Sequence, residues 1–598
     1  MSNHQDRLTA LREQLVRQSL DGFVVPLTDE HMSEYVGAYA QRLAWLTGFQ
    51  GSAGSAVVLP LEAAIFVDGR YTLQVREQVE GAQWHYENVP QTSIAAWLKD
   101  HAGAGGRIGY DPWLHTRAWV KQASEALSGK GARLVAVDTN PIDSIWPDRP
   151  VPSGARLVVH EDRFAGQGAA DKRAAMAAWL QTSQADAVIL SALDSIAWTF
   201  NIRGRDVDRT PVALAYAIIH ADATADLFVA PEKIDAGVTA HLGDAVRVHD
   251  RSAFAGALAA LSGKTVVADP ERAVAAIFDA LEAGGATVLA LRDPAVLPKA
   301  IKNATEIAGH KAAQARDGAA LSRFLHWLSI EAPGGGLDEL GAAARLEAFR
   351  RDTGELVDLS FDTISGAGPN GAIVHYRAGP KTNRTIENGS LYLVDSGGQY
   401  RDGTTDVTRT IAIGTPTEEM KRRFTLVLKG HIALASAVFP KGTRGSQLDA
   451  LARQFLWAEG LDYAHGTGHG VGSFLSVHEG PQRIATTGGA DEPLAAGMII
   501  SNEPGYYKTG EYGIRIENLV LVESRDVAQA ERDMLGFETL TFAPIDRHAI
   551  DVALLTPAER GWLDNYHRRV LQIVGPQLDG DARGWLETAC APLGAQPA

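Results

Sequence analysis

A chain of 598 residues is long enough for several domains, and its 45% hydrophobic and 21% charged residues are typical of a soluble globular protein. The formal net charge of −16 argues against nucleic acid or an anionic membrane as the main partner, because both need a basic surface. The single cysteine, Cys590, excludes an internal disulfide and any multi-thiolate metal site. We expect a cytoplasmic protein, because no signal sequence opens the chain and no apolar run is long enough to cross a bilayer.

The first half of the chain contains a repeat. In the first copy, a helix with Leu8, Leu11 and Leu15 on one face leads into DGFVV, and LAWLTGF, SAVVL and AAIFV follow. In the second copy, a helix near 176–180 leads into ADAVIL, and IAWTFNIRG, VALAYAII and ADLFV follow. Both copies alternate helices with short buried strands, so the sequence predicts two similar α/β domains in tandem.

Two breaks divide the chain further. The proline-rich stretch 141–154 predicts an extended linker, and a second break at 292–303 precedes a long helix at about 306–328. Beyond that helix, strands punctuated by glycine continue to about residue 544. We therefore predict four segments, which are 1–150, 151–300, 301–544 and a C-terminal extension at 545–598.

The third segment places two aspartates at the ends of a predicted hairpin. LYLVD is an apolar strand that ends on Asp395, Asp402-Gly403 is a turn signal, and TTDVTRTIAI is the returning strand. Alternation places Asp406 on the face opposite Val407, so the hairpin can bring Asp395 and Asp406 together. For an isolated pair, a strand-end acid and an unrelated surface acid would be the favoured interpretation.

HGTGHGVG contains two histidines, His465 and His469, that are four residues apart. This is the spacing of the helical H-E-x-x-H zinc motif, but the glycines disfavour a helix and no Glu follows His465. In an extended segment the two imidazoles lie about 13 Å apart, so only one of them can bind a given metal ion. The other histidine would contact the substrate or support the site. His478 lies further along, in SVHEGP.

Two glutamates complete the set of candidate ligands. Glu503 follows an apolar strand at 498–500, and Glu517 lies in YGIRIENLVLV, which predicts a strand with Arg515 and Glu517 on one face. Charges in such a strand are costly to bury unless they are paired or bound to a metal ion. A buried Arg–Glu salt bridge is therefore the alternative interpretation.

Charge balance favours two metal ions in this segment. Four buried carboxylates would repel one another, and two divalent cations would neutralise them. Oxygen-rich ligation with one imidazole favours Mn²⁺, with Co²⁺, Fe²⁺ or Zn²⁺ as alternatives. Two such ions about 3.5–4 Å apart can lower the pKa of a shared water toward 7, which would provide a nucleophile without Ser or Cys.

The order Asp…Asp…His…Glu…Glu resembles that of the pita-bread metallopeptidases, which include methionine aminopeptidase, prolidase, creatinase and aminopeptidase P. The strings DSGGQYRDGTTDVTRT, HGTGHGVGSFLSVHEGP and NEPGYYKTGEYGIRIENLVLV are similar to those of aminopeptidase P. The resemblance covers nearly the whole chain and is to the long, cytosolic, three-domain form. It implies a mixed α/β (α+β) fold, in which two creatinase-like N-terminal domains precede a pita-bread catalytic domain.

The resemblance also implies five metal ligands, which are Asp395, Asp406, His469, Glu503 and Glu517. Two of them, Asp406 and Glu517, would bridge both ions. Glu503 would in addition handle the proton of the bridging hydroxide.

Four further residues receive roles from the resemblance alone. His375 and His478 would contact the substrate and stabilise the developing oxyanion, although His375 by itself would be interpreted as an ordinary strand histidine. His465 would line the pocket for the proline ring, in agreement with the spacing argument. Arg515 would support Glu517 without binding a metal ion.

The activity that the resemblance implies is release of the N-terminal residue from peptides with proline in second position, by a homodimer. One alternative is a prolidase that cleaves Xaa-Pro dipeptides, and another is an inactive pita-bread domain that binds proteins. The two N-terminal domains favour aminopeptidase P, because prolidases usually carry one. The complete set of candidate ligands argues against the inactive module.

Overall fold

The computed structural model describes residues 3–89, 91–486 and 491–594. The chain divides into two compact units, the first comprising Met1–Asp162 with Gln167–Val296 and the second Arg163–Gly166 with Leu297–Ala598. The boundary at residue 296 falls within the break at 292–303, and the finer division into four segments stays a prediction. Among the described residues, no helix combines the length and apolarity needed to cross a membrane.

Helices and short strands alternate before residue 296. The helices are α1 (His4–Arg17), α2 (Arg42–Thr47), α3 (Gln74–Gln78), α4 (Ile94–His101), α5 (Arg117–Ser128), α6 (Asp162–Ala165), α7 (Ala169–Thr182), α8 (Leu193–Thr199), α9 (Ala236–Leu242), α10 (Phe254–Ala259) and α11 (Ala275–Ala283). The strands are β1 (Gly22–Pro26), β2 (Ser55–Val58), β3 (Ala63–Val67), β4 (His85–Asn88), β5 (Arg107–Tyr110), β6 (Arg133–Ala136), β7 (Val158–Val159), β8 (Ala187–Leu190), β9 (Ile202–Arg203), β10 (Ala215–His220), β11 (Ala225–Val229), β12 (Val246–His249), β13 (Thr265–Ala268) and β14 (Thr287–Ala290).

The repeat read from the sequence appears as two sheets with the same connectivity. Their strand orders are β4-β3-β2-β1-β5-β6 and β12-β11-β10-β8-β13-β14. In each sheet the first strand pairs antiparallel with the second strand of that sheet and parallel with the fifth. In the first sheet β1 pairs in this way with β2 and β5, and in the second sheet β8 pairs with β10 and β13. Leu8, Leu11 and Leu15 of α1 are buried against the first sheet, as predicted. The tandem α/β arrangement is thus confirmed.

The proline-rich stretch after the first sheet is only partly the extended linker that the sequence predicts. Ile142 and Trp146 are buried in the core of the first domain, and Trp146 stacks on Trp45 with ring centroids 5.3 Å apart. Turns extend as far as residue 148, and residues 149–157 then form a continuous run without helix, strand or turn. The extended preference of proline is outweighed here because two large apolar side chains gain burial.

Among the described residues, seven α-helices follow residue 295, in addition to α6, which lies mostly in the second unit. They are α12 (Val296–Ala300), α13 (Ala304–Glu331), α14 (Glu339–Arg351), α15 (Glu418–Ala435), α16 (Gly445–Trp457), α17 (Pro557–Ile573) and α18 (Gly580–Ala589). Helix α13 begins at a capping box between Asn303 and Glu306. Helix α17 begins with Thr556 as N-cap and Pro557 at its first position, where proline's missing N–H costs no hydrogen bond.

Short strands lie between and after these helices. They are β15 (Asp358–Leu359), β16 (Ile364–Ala367), β17 (Ser390–Ser396), β18 (Gly398–Tyr400), β19 (Gly403–Thr404), β20 (Val407–Ile413), β21 (Val438–Pro440), β22 (Gly468–Gly470), β23 (Glu479–Ile484), β24 (Ile499–Asn502), β25 (Gly505–Lys508), β26 (Tyr512–Arg515), β27 (Asn518–Arg525) and β28 (Met534–Thr539). The sheets that position the candidate ligands have the orders β16-β17-β20 and β21-β28-β27-β24-β22-β23.

YGIRIENLVLV forms two strands, whereas its alternation predicts one. Strand β26 ends at Arg515 and pairs with β25, while β27 begins at Asn518 and pairs with β24 and β28. Glu517 therefore lies in a two-residue step between two sheets. The prediction of a single strand was wrong because alternation of apolar residues is the same on either side of such a step.

Candidate metal centre

Three of the predicted ligands form one cluster. Asp406, His469 and Glu517 each offer a ligand atom, and these atoms lie within 4.8 Å of one another. Asp406 immediately precedes β20, His469 lies on β22, and Glu517 occupies the step between β26 and β27. The cluster therefore depends on long-range pairing of strands and not on one local motif.

The other two predicted ligands border this cluster. Glu503 directly follows β24, and its Oε1 lies 3.7 Å from His469 Nε2, while Asp406 Oδ2 lies 3.5 Å from the same nitrogen. Asp395 lies on β17 opposite Thr408 of β20. Its negative charge raises the pKa of both Asp406 and Glu517, as expected for neighbouring carboxylates.

Glycine allows the strand that carries His469 to approach its neighbour. A Cβ atom on Gly468 would lie only 2.0 Å from the main-chain oxygen of Ser501, next to β24 residue Asn502 and ligand Glu503. No larger residue fits this position without moving a strand. The glycines of HGTGHG thus bring His469 and Glu503 together as well as excluding a helix.

The electrostatics of the cluster match closely placed, buried acids. Burial raises the pKa of Asp406 to about 6, with the charges of Asp395 and Glu503 adding to it and His469 opposing it. Burial also raises the pKa of Glu517 well above its ordinary value. Burial disfavours the charged form of His469, but its hydrogen bond to Asp406 and the charge of Glu503 outweigh this and raise the pKa of His469 to about 9. All three pKa values are therefore raised, so that bound protons reduce the net negative charge of the closely placed carboxylates.

Two buried carboxylate oxygens test whether the site fits metal ions. Asp395 Oδ1 and Asp406 Oδ1 are buried and accept no hydrogen bond within the part of the chain that the structure describes. Such oxygens are costly to bury unless a positive group meets them. Four carboxylates and one imidazole are donors that suit divalent ions such as Mn²⁺, so the residues present fit a pair of such ions.

Neighbouring polar groups fix the orientation of the candidate ligands. His469 shares its Nδ1 hydrogen with the main-chain oxygen of Gly470 at 2.9 Å, which leaves Nε2 as the ligand atom. Thr408 Oγ1 donates to Glu517 Oε2 at 2.8 Å. The main-chain nitrogen of Glu503 donates to Thr467 O at 2.8 Å.

Arg515 pairs with a different carboxylate from the one that the sequence suggests. Its Nη2 donates to Asp395 Oδ2 at 2.6 Å. Its connection to Glu517, the residue that it was expected to support, is indirect: Arg515 Nε donates to Thr408 Oγ1 at 3.2 Å, and Thr408 Oγ1 donates to Glu517 Oε2 at 2.8 Å. The contact arises because β26 runs beside the β17–β20 hairpin. There the main-chain nitrogen of Arg515 donates to Thr410 Oγ1, and Thr410 Oγ1 donates to the main-chain oxygen of Arg515. The buried Arg–Glu pair considered as an alternative is therefore replaced by an Arg–Asp pair.

The structure places two of the three predicted substrate histidines against this cluster or its hydrogen-bonding partners. The ring of His478 lies 4.3 Å from that of His469, at an interplanar angle of 72°. His465 Nε2 lies 2.9 Å from Tyr507 Oη, and its ring is 4.8 Å from that of Tyr463.

His375 lies on a turn that follows the 3₁₀ helix Gly368–Ala372, so the strand environment considered for it is wrong. The main-chain oxygen of the preceding residue, Val374, accepts a hydrogen bond from Arg515 Nη1 at 3.2 Å. Arg515 thus connects the His375 turn to Asp395.

Sequence analysis assigned no role to Tyr507, because packing was as plausible a role as one in the site. Its hydroxyl accepts a hydrogen bond from Arg515 Nη1 at 2.7 Å and contacts His465 Nε2, so it joins Arg515, the partner of Asp395, to His465. Burial raises the pKa of Tyr507 to about 12, with Arg515 opposing the shift, so the phenol is neutral. The contact between Tyr507 and Arg515 results from the antiparallel pairing of β25 with β26. The sequence signal for it is Thr509-Gly510, because a hairpin turn there places Tyr507 near Arg515.

Family models match the chain from end to end. The Creatinase/Prolidase N-terminal domain matches residues 7–145 and, in a second version, residues 148–306. Metallopeptidase family M24 matches residues 308–524, and the C-terminal region of peptidase M24 matches residues 533–593. These matches confirm the predicted combination of tandem creatinase-like domains with a pita-bread domain.

Full-length relatives give the same result. A probable Xaa-Pro aminopeptidase P of Laccaria bicolor is 41% identical over 99% of this chain and 94% of its own length. That of Aspergillus fumigatus is 42% identical over 99% and 93%. The crystal structure of the X-prolyl aminopeptidase from Caenorhabditis elegans, described as a cytosolic enzyme with a di-nuclear active site, superposes with a TM-score of 0.94 at 35% identity, covering 99% of this chain and 100% of that one. The chain therefore belongs to the M24 metallopeptidases and, within them, to the Xaa-Pro aminopeptidase P family.

Proposed function

We propose that this protein releases the N-terminal residue from peptides whose second residue is proline, using two divalent metal ions. The observation that carries the proposal is the cluster of Asp406, His469 and Glu517, bordered by Glu503 and Asp395, in a chain similar to aminopeptidases P over 99% of its length. Two buried carboxylate oxygens accept no hydrogen bond from any described residue, which supports the presence of cations there.

The proposed ligands are the five residues Asp395, Asp406, His469, Glu503 and Glu517. Ions bound to them would lower the pKa of a water molecule and act as Lewis acids toward the scissile carbonyl. We favour Mn²⁺ because carboxylates outnumber the single imidazole, and Co²⁺, Fe²⁺ and Zn²⁺ are the alternatives to be compared.

Glu503 is the proposed proton carrier. It is half-buried at the edge of the cluster, and its Oε1 is 3.7 Å from His469 Nε2 and 3.4 Å from Ser501 Oγ. Its carboxylate would accept a proton from the attacking water and deliver it to the leaving proline nitrogen. Because that nitrogen is a secondary amine after cleavage, it must gain a proton to leave.

Histidines are the proposed donors to the oxyanion that develops on the scissile carbonyl. His478 packs against His469, and the turn that carries His375 is held by Arg515 through Val374. Imidazole N–H groups held in this way would stabilise negative charge more strongly in the transition state than in the bound peptide.

An aromatic corner beside the cluster is the proposed proline pocket. His465 lies between Tyr463 and Tyr507, with ring centroids 4.8 and 5.4 Å away. Such walls suit a pyrrolidine ring, and the X–Pro bond brings no N–H that would need an acceptor. The location of the pocket next to Arg515 would place the scissile bond at the metal ions.

The activity is tested by comparing an Xaa-Pro-Xaa tripeptide with the Xaa-Pro dipeptide, before and after chelation and with each metal. We expect rapid cleavage of the tripeptide, loss of cleavage with a chelator and recovery with Mn²⁺. Preference for the dipeptide would identify a prolidase. A folded protein that binds no metal would instead support the inactive binding module.

We further propose a homodimer located in the cytosol. The Caenorhabditis elegans enzyme is described as cytosolic, which supports the location, and the resemblance to long aminopeptidases P supports the dimer. Light scattering on the purified protein tests the dimer, because a monomer at micromolar concentration would contradict it.

A further inference from the structure

Arg409 is a buried cation that hydrogen-bonds only to neutral oxygens among the described residues. Only 2% of its surface is exposed, and it follows Thr408 on β20. Its guanidinium donates to six oxygens, which are Thr408 O, Glu517 O, Asn518 Oδ1, Ala543 O, Pro544 O and Tyr566 Oη. An arginine satisfied in this way cannot compete with a metal ion for a carboxylate, whereas Arg515 occupies one oxygen of Asp395.

These contacts join two parts of the second unit. On one side, Arg409 Nη1 donates to the main-chain oxygen of the candidate ligand Glu517 at 2.7 Å, and Nη2 donates to Asn518 at 2.8 Å. On the other side, Nη2 donates to Ala543 O and to the hydroxyl of Tyr566, each at 2.8 Å. Tyr566 lies on α17, far beyond the last residue that is proposed to bind a metal ion. The guanidinium of Arg409 therefore links the segment after β28 to the main chain of Glu517.

The same network continues to the main chain beside Glu503. Asn518 Nδ2 lies 3.2 Å from His431 Nε2, and His431 Nδ1 lies 3.1 Å from Asn502 O. Asn502 Nδ2 in turn donates to the main-chain oxygen of His431 at 2.9 Å. Burial, with Arg409 adding, lowers the pKa of His431 to about 3, so the neutral ring can donate from one nitrogen and accept with the other.

We propose that Arg409 and Tyr566 are positioning residues for the metal ligands, so that the C-terminal segment is a functional part of the metal centre. They hold the step at Glu517 and, through Asn518 and His431, the residue before Glu503. Residues that orient metal ligands typically change metal affinity or activity by about 10–100-fold when they are removed. This inference rests on the dinuclear site of the proposed function.

Tyr566→Phe is the sharpest test because it removes one hydroxyl and keeps the ring. The ring stacks on Trp562 with centroids 5.5 Å apart and planes 4° apart, so packing is retained. The matched control is Tyr86→Phe, which removes a hydroxyl that donates to Val79 O at 2.6 Å in the first unit. Arg409→Lys is the second variant, since it keeps the charge but cannot reach both sides.

Affinity for Mn²⁺ is measured by calorimetry on the metal-free, full-length proteins, well below their unfolding temperatures, with circular dichroism as the check on folding. We expect about 10–100-fold weaker binding in Tyr566→Phe and Arg409→Lys, and unchanged binding in Tyr86→Phe. If Arg409→Lys does not fold, Tyr566→Phe decides the result. Wild-type affinity in folded Tyr566→Phe overturns the inference. A wild-type protein that binds two ions but does not cleave Xaa-Pro peptides overturns the proposed substrate only.

Discussion

Arg515 binds one oxygen of Asp395 and leaves the other without a hydrogen bond. Nη2 lies 2.6 Å from Oδ2, while Oδ1 is buried and has no donor within the described residues. The guanidinium thus orients this carboxylate, with one oxygen available to a metal ion. Tyr507 receives a second hydrogen bond from the same guanidinium and passes the connection to His465.

Removing the charge of Arg515 should weaken metal binding. In Arg515→Met the carboxylate of Asp395 loses the guanidinium that orients it. We therefore expect the affinity for Mn²⁺ to fall by about 10–100-fold. Calorimetric titration of the metal-free protein measures the change. Arg117→Ala is the control, because its ion pair with Glu282 is half-exposed on both sides and contributes little. Equal affinity in Arg515→Met and wild type would contradict an orienting role.

The hydroxyl of Tyr507 should contribute to turnover. Tyr507→Phe leaves Arg515 and His465 without their common partner, and loss of a hydrogen bond to a charged group costs about 1.5–3 kcal/mol. We expect kcat/KM for an Xaa-Pro-Xaa peptide to fall by about 10–100-fold. Tyr506→Phe is the matched control, since the adjacent ring packs in the core. A similar decrease in both variants would indicate a packing effect instead.

Glu503 should be required for the chemical step. Glu503→Gln keeps the size of the side chain but cannot carry a proton, and general acid–base groups contribute about 10²–10⁴-fold to rates. Single-turnover kinetics with saturating metal should show a decrease of this size. The control Glu523→Gln changes a half-buried glutamate that pairs with Arg525. An undiminished rate in Glu503→Gln would refute the proposed mechanism.

The metal-free protein should lose stability as the pH rises through the pKa of Asp406. Burial raises this pKa to about 6 in the folded state, above its value of about 3.9 in an unfolded chain. The contribution is therefore fully present below pH ~4 and is lost as the pH rises through about 6. Asp406→Asn cannot ionise, so above pH ~6 it should melt at a higher temperature than the metal-free wild type, with the difference vanishing near pH ~4. Calorimetry with a chelator from pH 4 to 8 measures this, and a difference independent of pH would contradict it.

Local sequence patterns predicted most of the architecture. The two copies of helix and strands, the hairpin from Asp395 to Asp406 and the long helix after the break at 292–303 each follow from residues close together in the chain, and the structure contains all three. Each of these features depends on turn chemistry or apolar periodicity, which a short window contains.

The features that escaped prediction depend on contacts between distant segments. The partner of Arg515 is 120 residues away, and the link from Tyr507 to His465 spans 42. Burial of Trp146 likewise requires Trp45 to lie opposite it. No periodicity within a segment contains this information, because it is set by which strands and helices come together.

The two-residue step at Ile516–Glu517 has a consequence for annotating related genomes. Strand β26 belongs to one sheet and β27 to another, so the length of the step sets which way the acid faces. In a relative with one residue inserted or deleted there, all five candidate ligands would still align, but the glutamate at position 517 would face away from the cluster. Screens for pseudoenzymes in this family should therefore inspect gap placement between positions 515 and 518 as well as residue identity.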